Sequence, residues 1–84
     1  MEVQMPDGTR ADCVTDDYAV EIDFAPKWAE ALGQALHYAD QTGKRPGILL
    51  IIEREKDWRY YWRLKRTADK QGVRLWYITP KALQ

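Results

Sequence analysis

Apolar positions along this chain follow two different periods. Residues 2–5, 9–14 and 18–24 read as three short strands, separated by the turn signatures Pro6-Asp7-Gly8 and Thr15-Asp16-Asp17. In the third run Val20, Ile22 and Phe24 alternate with Glu21 and Asp23, so the apolar side is expected to meet the core. Pro26 then stands where a helix starts, at a position needing no amide hydrogen. Trp28, Leu32, Ala35, Leu36 and Ala39 have helical spacing, and Gly43 is a natural stop. Pro46-Gly47 leads into Ile48-Leu49-Leu50-Ile51-Ile52, a buried strand by its branched content, and a second helix is predicted over 57–71, ending at Gly72. A last strand over 73–79 precedes Pro80. The order β-β-β-α-β-α-β predicts an α/β fold with a mixed sheet: an antiparallel hairpin feeds a right-handed parallel crossover.

Length keeps this to one domain spanning 1–84. Chains of this size bury only about 60–65% of their unfolded surface, so a ligand, a metal or self-association commonly adds stability. Four tryptophans and five tyrosines on so small a body favour a homodimer. The single cysteine, Cys13, rules out an intramolecular disulfide, and no Cys/His set has zinc spacing. The N-terminus lacks the basic start and apolar run of a signal peptide, and the longest apolar run, 48–52, is too short to cross a bilayer. A cytoplasmic protein without membrane contact is the expectation.

Zero net charge conceals a split. Residues 1–42 carry two basic and nine acidic side chains, a net of −7, while 43–84 carry eleven basic and four acidic, a net of +7. Either an acidic site and a basic surface share one body, or the two halves attract one another in the fold.

The hairpin locates the acidic side of that split. With Asp16-Asp17 as a two-residue loop, Thr15 faces Tyr18, Asp12 faces Glu21 and Arg10 faces Asp23. Opposed β-carbons lie about 4.5–5.5 Å apart, so Asp12 and Glu21 repel unless a cation lies between them. Hard Mg²⁺ suits such a pair, since it takes carboxylate oxygens and keeps several waters. With a three-residue loop Asp12 faces Val20 instead and the repulsion fades, leaving carboxylates on a solvated sheet face.

An Asp on one strand, an acidic residue on the next, and Gln34-Ala35-Leu36-His37-Tyr38 on the following helix resemble the PD-(D/E)xK nuclease superfamily, with the QxxxY helix of its RecB-like branch. The resemblance covers residues 5–53 and, beyond them, the order of elements. It implies a minimal restriction-endonuclease-like core that lacks the family's first helix. It further implies a deoxyribonuclease using Mg²⁺ or Mn²⁺, with Asp12 and Glu21 as metal ligands and Gln34 and Tyr38 beside the nucleic acid. The family's lysine two residues after the acidic element is Asp23 here, a third carboxylate that either widens the metal site or pairs with Arg10. The missing cation then falls to Lys27, four residues on, whose alternative is an ordinary surface lysine.

The basic half points the same way. Arg59, Arg63, Arg66 and Lys70 fall within a stripe about 60° wide, opposite Tyr61, Leu64 and Ala68. Such a ridge neutralises phosphates along a nucleic-acid backbone, or is simply the solvated face of an amphipathic helix. Trp58, Tyr60, Tyr61 and Trp62 are read as core or dimer contacts, and His37 as structural. Two functions remain: a metal-dependent nuclease hydrolysing DNA, with Asp12, Glu21, Asp23 and Lys27 catalytic, or an inactive relative that binds nucleic acid or protein.

Overall fold

The computed structural model describes residues 3–4 and 10–79, with side chains from Asp12 onward. The turn at Pro6-Asp7-Gly8 and the side chain of Arg10, expected opposite Asp23, lie outside the described residues. Short strands β1 (Val3–Gln4) and β2 (Arg10–Ala11) pair antiparallel. Then come β3 (Cys13–Val14), β4 (Tyr18–Phe24), α1 (Trp28–Thr42), β5 (Arg45–Ile51), α2 (Trp58–Gln71) and β6 (Arg74–Ile78). β3, β4, β5 and β6 form a four-stranded sheet in that order, antiparallel between β3 and β4 and parallel thereafter. The protein is a small α/β domain with a mixed sheet and two helices.

The hairpin closes as a two-residue loop, with Cys13 opposite Val20 and Val14 opposite Ala19. Thr15 secures the turn through its hydroxyl, which accepts the Tyr18 amide at 2.9 Å. The Lys44 ammonium donates to the carbonyls of Thr15 and Asp16, tying the turn to the end of α1. The strand expected over 9–14 is broken: Asp12 is a bend between β2 and β3.

Helix boundaries follow local chemistry. Pro26 lies in a 3-10 turn, Ala25–Lys27, that leads into α1. α1 stops at Gly43 with φ 70°, where the left-handed conformation lets the cap amide reach the Ala39 carbonyl at 2.9 Å. At the start of α2 the buried Asp57 accepts the Arg54 amide at 3.1 Å and the Glu53 amide at 3.3 Å. This satisfies amides that the strand-to-helix turn leaves without a ladder.

Both crossovers step across the sheet in the same direction, and right-handed connections then put both helices on one face. Ile48 and Leu50 of β5 pack in one cluster with Ala31 and Ala35 of α1 and Tyr61, Leu64 and Ala68 of α2. Fully buried Ile48, Leu50 and Leu64 each contribute about 1.5–3 kcal/mol of transfer free energy. The alanines let α1 approach the sheet closely, and α1 is rotated from the expected face: Ala31 and Tyr38 point inward while Leu36 is exposed.

β4 corrects a second expectation. Its helix-facing side carries Ala19, Glu21 and Asp23, and the apolar side with Ile22 and Phe24 faces away, exposed. On that outer face Trp76 lies over Gly47, where an added β-carbon would meet Trp76 Cζ3 at 2.8 Å. The ring also meets Tyr18 edge-on, with centroids 5.4 Å apart, and Arg74 stacks over it. β5 begins at Arg45 rather than after Gly47, since residues 45–47 already pair with Tyr18, Ala19 and Val20 of β4, and glycine at 47 leaves room for the ring.

Candidate functional site

Where β2 and β3 part at Asp12, β4 loses its antiparallel neighbour and the Ile22 amide loses a ladder partner. A side chain replaces it: the Ile22 N–H donates to Asp12 Oδ2 at 2.8 Å. The same N–H reaches Glu21 Oε1 at 3.2 Å. Two carboxyl groups thus converge on a single donor.

Glu21 is only 4% exposed, and its Oε2 is a buried atom that no donor among the described residues reaches. Burial is the chief reason its pKa rises to about 8. The neighbouring Asp12 adds to the rise, accepting a hydrogen bond from the protonated carboxyl and repelling the ionised one; Asp23 adds a smaller repulsion, and the Ile22 amide opposes them. At neutral pH Glu21 therefore holds a proton against Asp12. When it ionises, its second oxygen is left in a dry place without a partner among the described residues, where a proton, a water or a cation would satisfy it.

Asp23 does not complete a three-carboxylate set. Its Oδ1 accepts the amide of its own neighbour Phe24 at 2.9 Å. Among the described residues no three His, Cys, Asp or Glu side chains gather closely enough to hold a metal ion. The donors on hand are two, Asp12 and Glu21. Two carboxylates with waters and substrate oxygens are a common set for Mg²⁺, which rarely takes an all-protein cage.

Lys27 ends the 3-10 turn after β4 rather than standing one turn into the helix; it is exposed and forms no ion pair among the described residues. Gln34 is exposed on α1, whereas Tyr38, one turn on, is buried against Ala19 and beside Val14. Tyr38 is therefore a core residue where an interface residue was expected, and only Gln34 of that pair is open to a ligand. Cys13 is a half-buried free thiol.

On α2, Arg59, Arg63, Arg66 and Lys70 are all exposed, opposite buried Tyr61, Leu64 and Ala68. Tyr60 organises one end of the ridge: Arg59 donates to its hydroxyl at 2.8 Å and lies 4.8 Å from its ring centre, and Arg63 lies 5.6 Å from it. Trp62, expected in the core or at a dimer contact, is 61% exposed and flanks the ridge on its other side. Among the described residues the ion pair formed is Lys65–Asp69, within α2 at 3.1 Å.

A shallow cleft of about 470 Å³ at the opposite end of the parallel strands is lined by Tyr18, Arg45, Asp69 and Arg74 among others. Its arginines stand beside the carbonyl ends of α1 and α2, whose dipoles they offset. No residue read as a metal ligand lines it.

No helix among the described residues is long and apolar enough to cross a membrane. Compared with protein-family models, with curated proteins and with solved structures, the chain matches none.

Proposed function

We propose that the chain is a metal-dependent nuclease of minimal PD-(D/E)xK type that hydrolyses DNA. One observation carries this reading: Glu21 is buried beside Asp12 with an oxygen that no donor among the described residues reaches. Two neighbouring carboxylates cost the fold stability once Glu21 ionises, and a divalent cation between them would offset that cost.

Asp12 and Glu21 would hold Mg²⁺ or Mn²⁺, which when bound supplies Lewis-acid stabilisation of the charge that builds on phosphoryl oxygens. Asp12 is pinned by the Ile22 amide, so one ligand is preorganised. Glu21 gives up its proton to become the second, which couples metal affinity to pH. Lys27, exposed at the end of the 3-10 turn that follows the same strand, is the first cation after Glu21 in sequence that could offset developing charge, and Gln34 is open on α1 to contact a nucleotide. The α2 ridge neutralises backbone phosphates and positions the strand.

Mn²⁺ calorimetry at several pH values tests this, followed by cleavage of plasmid and single-stranded DNA. Binding is expected to tighten about tenfold per pH unit below 8 with release of one proton, and to vanish in Asp12→Asn. Absence of both binding and metal-dependent cleavage overturns the reading.

A second reading keeps DNA or protein binding without chemistry. It is favoured by Asp23, which stands where the family has its lysine and has turned its carboxylate onto its own strand. Salt-dependent DNA binding that is indifferent to divalent metal, with no cleavage, supports it.

A further inference from the structure

Single apolar side chains on a surface need no explanation, but several large rings joined into one patch do. Trp62 is 61% exposed and Tyr77 is 52% exposed, and both meet the buried Tyr61 edge-on, with ring centroids 5.0 and 5.5 Å from it. The two exposed rings therefore lie within about 11 Å of each other. Trp58, half-buried, completes the group: its centroid is 5.0 Å from that of Tyr77 and 5.3 Å from that of Tyr61. Contacts among the four rings fix Trp62 and Tyr77 in place, which lowers the ordering cost of binding. Register sets Tyr77 in a row with Leu50 and Asp23. The patch thus stands at the carboxyl end of the parallel strands, two strand spacings or about 10 Å from the strand that bears Glu21.

We infer that Trp62 and Tyr77 are a stacking platform for unpaired bases, which makes single-stranded DNA the preferred ligand of the α2 face. The inference rests on the reading of that face as a DNA contact. The surrounding charge identifies the occupant. On the helix surface Arg59 and Arg66 stand one turn to either side of Trp62. Arg59 is held on Tyr60, while Arg66 forms no ion pair among the described residues. Asp69, the acidic residue on the Trp62 side of α2, has both oxygens on Lys65 Nζ, at 3.1 and 3.2 Å. Even with Glu53, Glu55 and the buried Asp57 ahead of α2 counted in, residues 53–79 carry eight basic and four acidic side chains, a net of +4. Exposed rings set in an excess of positive charge suit a polyanion whose bases have π faces. A duplex cannot use the rings, because its bases are paired and stacked inside. An unpaired strand can lay its bases on them while its phosphates run along Arg63, Arg66 and Lys70. Such stacking tolerates any sequence, since every base has a π face.

Fluorescence anisotropy of the full chain in EDTA tests the inference, with a labelled strand of about 16 nucleotides and the duplex made from it. At physiological salt the single strand is expected to bind at least about tenfold more tightly than the duplex. Trp62→Ala, with an unchanged helical signal in circular dichroism, should weaken single-strand binding about five- to 100-fold, the cost of one lost stack. Its duplex affinity should stay within about twofold, and its slope of log K against log salt should not change, because the indole carries no charge. Trp62→Phe should restore most of the loss. Should Trp62→Ala not fold, Trp62→Leu keeps apolar bulk without an aromatic face and carries the same expectation. Equal affinity for the two DNA forms, or none for either, overturns the inference. So does wild-type single-strand affinity in Trp62→Ala and Trp62→Leu; a change in sedimentation in its place would assign the ring to a protein contact. Failure of the nuclease reading looks different: neither Mn²⁺ binding nor cleavage, with the single-strand preference intact.

Discussion

The backbone N–H of Ile22 donates to Asp12 Oδ2 across 2.8 Å, and this one bond converts a broken strand into a pair of carboxyl groups. It holds Asp12 beside Glu21, whose pKa is raised from 4.5 to about 8 by burial and then by Asp12.

That pKa makes stability depend on pH in a definite direction. The folded protein holds the Glu21 proton up to about 8, while the unfolded chain releases it near 4.5, so the unfolded state binds fewer protons between those values. The stabilising contribution is complete below the unfolded pKa and is lost as pH rises toward 8, with a slope of at most about 1.4 kcal/mol per pH unit. Glu21→Gln should abolish this slope and be more stable than the wild type at pH 8. Urea denaturation of both proteins at pH 5, 6.5 and 8 measures the difference between them and so cancels every other titrating group. Parallel curves for the two proteins would remove Glu21 as the source.

Asp12→Asn separates the charge of Asp12 from its hydrogen bond. The asparagine carbonyl still accepts the Ile22 amide, but the negative charge beside Glu21 is gone. The Glu21 pKa should fall from about 8 toward 4.5, followed by carbon-13 NMR titration of its carboxyl. At pH 8 the variant should gain about 1 kcal/mol of stability in metal-free buffer, because a like-charge cost is removed. An unmoved titration would mean that burial alone sets the pKa.

The hairpin was legible in sequence because turn chemistry fixes register: Asp16-Asp17 as a two-residue loop puts Cys13 opposite Val20, as found. Both helices were legible from their periods and from Gly43 and Gly72 at their ends. The orientation of β4 was not. An alternation of Val20, Ile22 and Phe24 with acidic residues implies that the apolar side is inward, but which side is covered depends on where the crossovers place α1 and α2. Both crossovers go the same way, so the helices cover the side bearing Ala19 and Glu21. The bend at Asp12 was likewise invisible, since nothing in its neighbours breaks a strand pattern. Tyr38 was misassigned because a helical stripe shared with Lys27 and Gln34 does not reveal how deep each position lies.

Gly47 should tolerate no side chain without cost. Gly47→Ala places a β-carbon 2.8 Å from Trp76 Cζ3 and should destabilise by about 1–3 kcal/mol, the usual range for overpacking. The displaced indole should give up its edge-on packing against Tyr18 and change its near-ultraviolet circular dichroism. Trp76→Leu should accept the alanine at little further cost, so a double-mutant cycle should return a coupling of about 1 kcal/mol or more. Additive effects would place the strain elsewhere.

The α2 ridge should act on nucleic acid and hardly at all on the fold. Arg63, Arg66 and Lys70 are exposed, and removing such a charge changes stability by less than about 0.5 kcal/mol, with the Arg63 contact on the Tyr60 ring adding about 0.5 kcal/mol. Arg63→Gln/Arg66→Gln/Lys70→Gln should therefore melt within a few degrees of the wild type. If these side chains neutralise phosphates, the slope of log K against log salt should become shallower by roughly 0.9 for each duplex phosphate no longer neutralised, or roughly 0.7 on a single strand. Affinity should drop evenly across unrelated sequences, because phosphate contacts carry no base information. Arg59→Gln should cost more stability than any of the three, since its guanidinium also bonds and stacks on the partly buried Tyr60. Fluorescence anisotropy with labelled duplex and single-stranded DNA, from low to physiological salt, measures both slopes. A triple variant with wild-type affinity and slope would show the ridge to be solvated surface, and would move any contact with nucleic acid to another face.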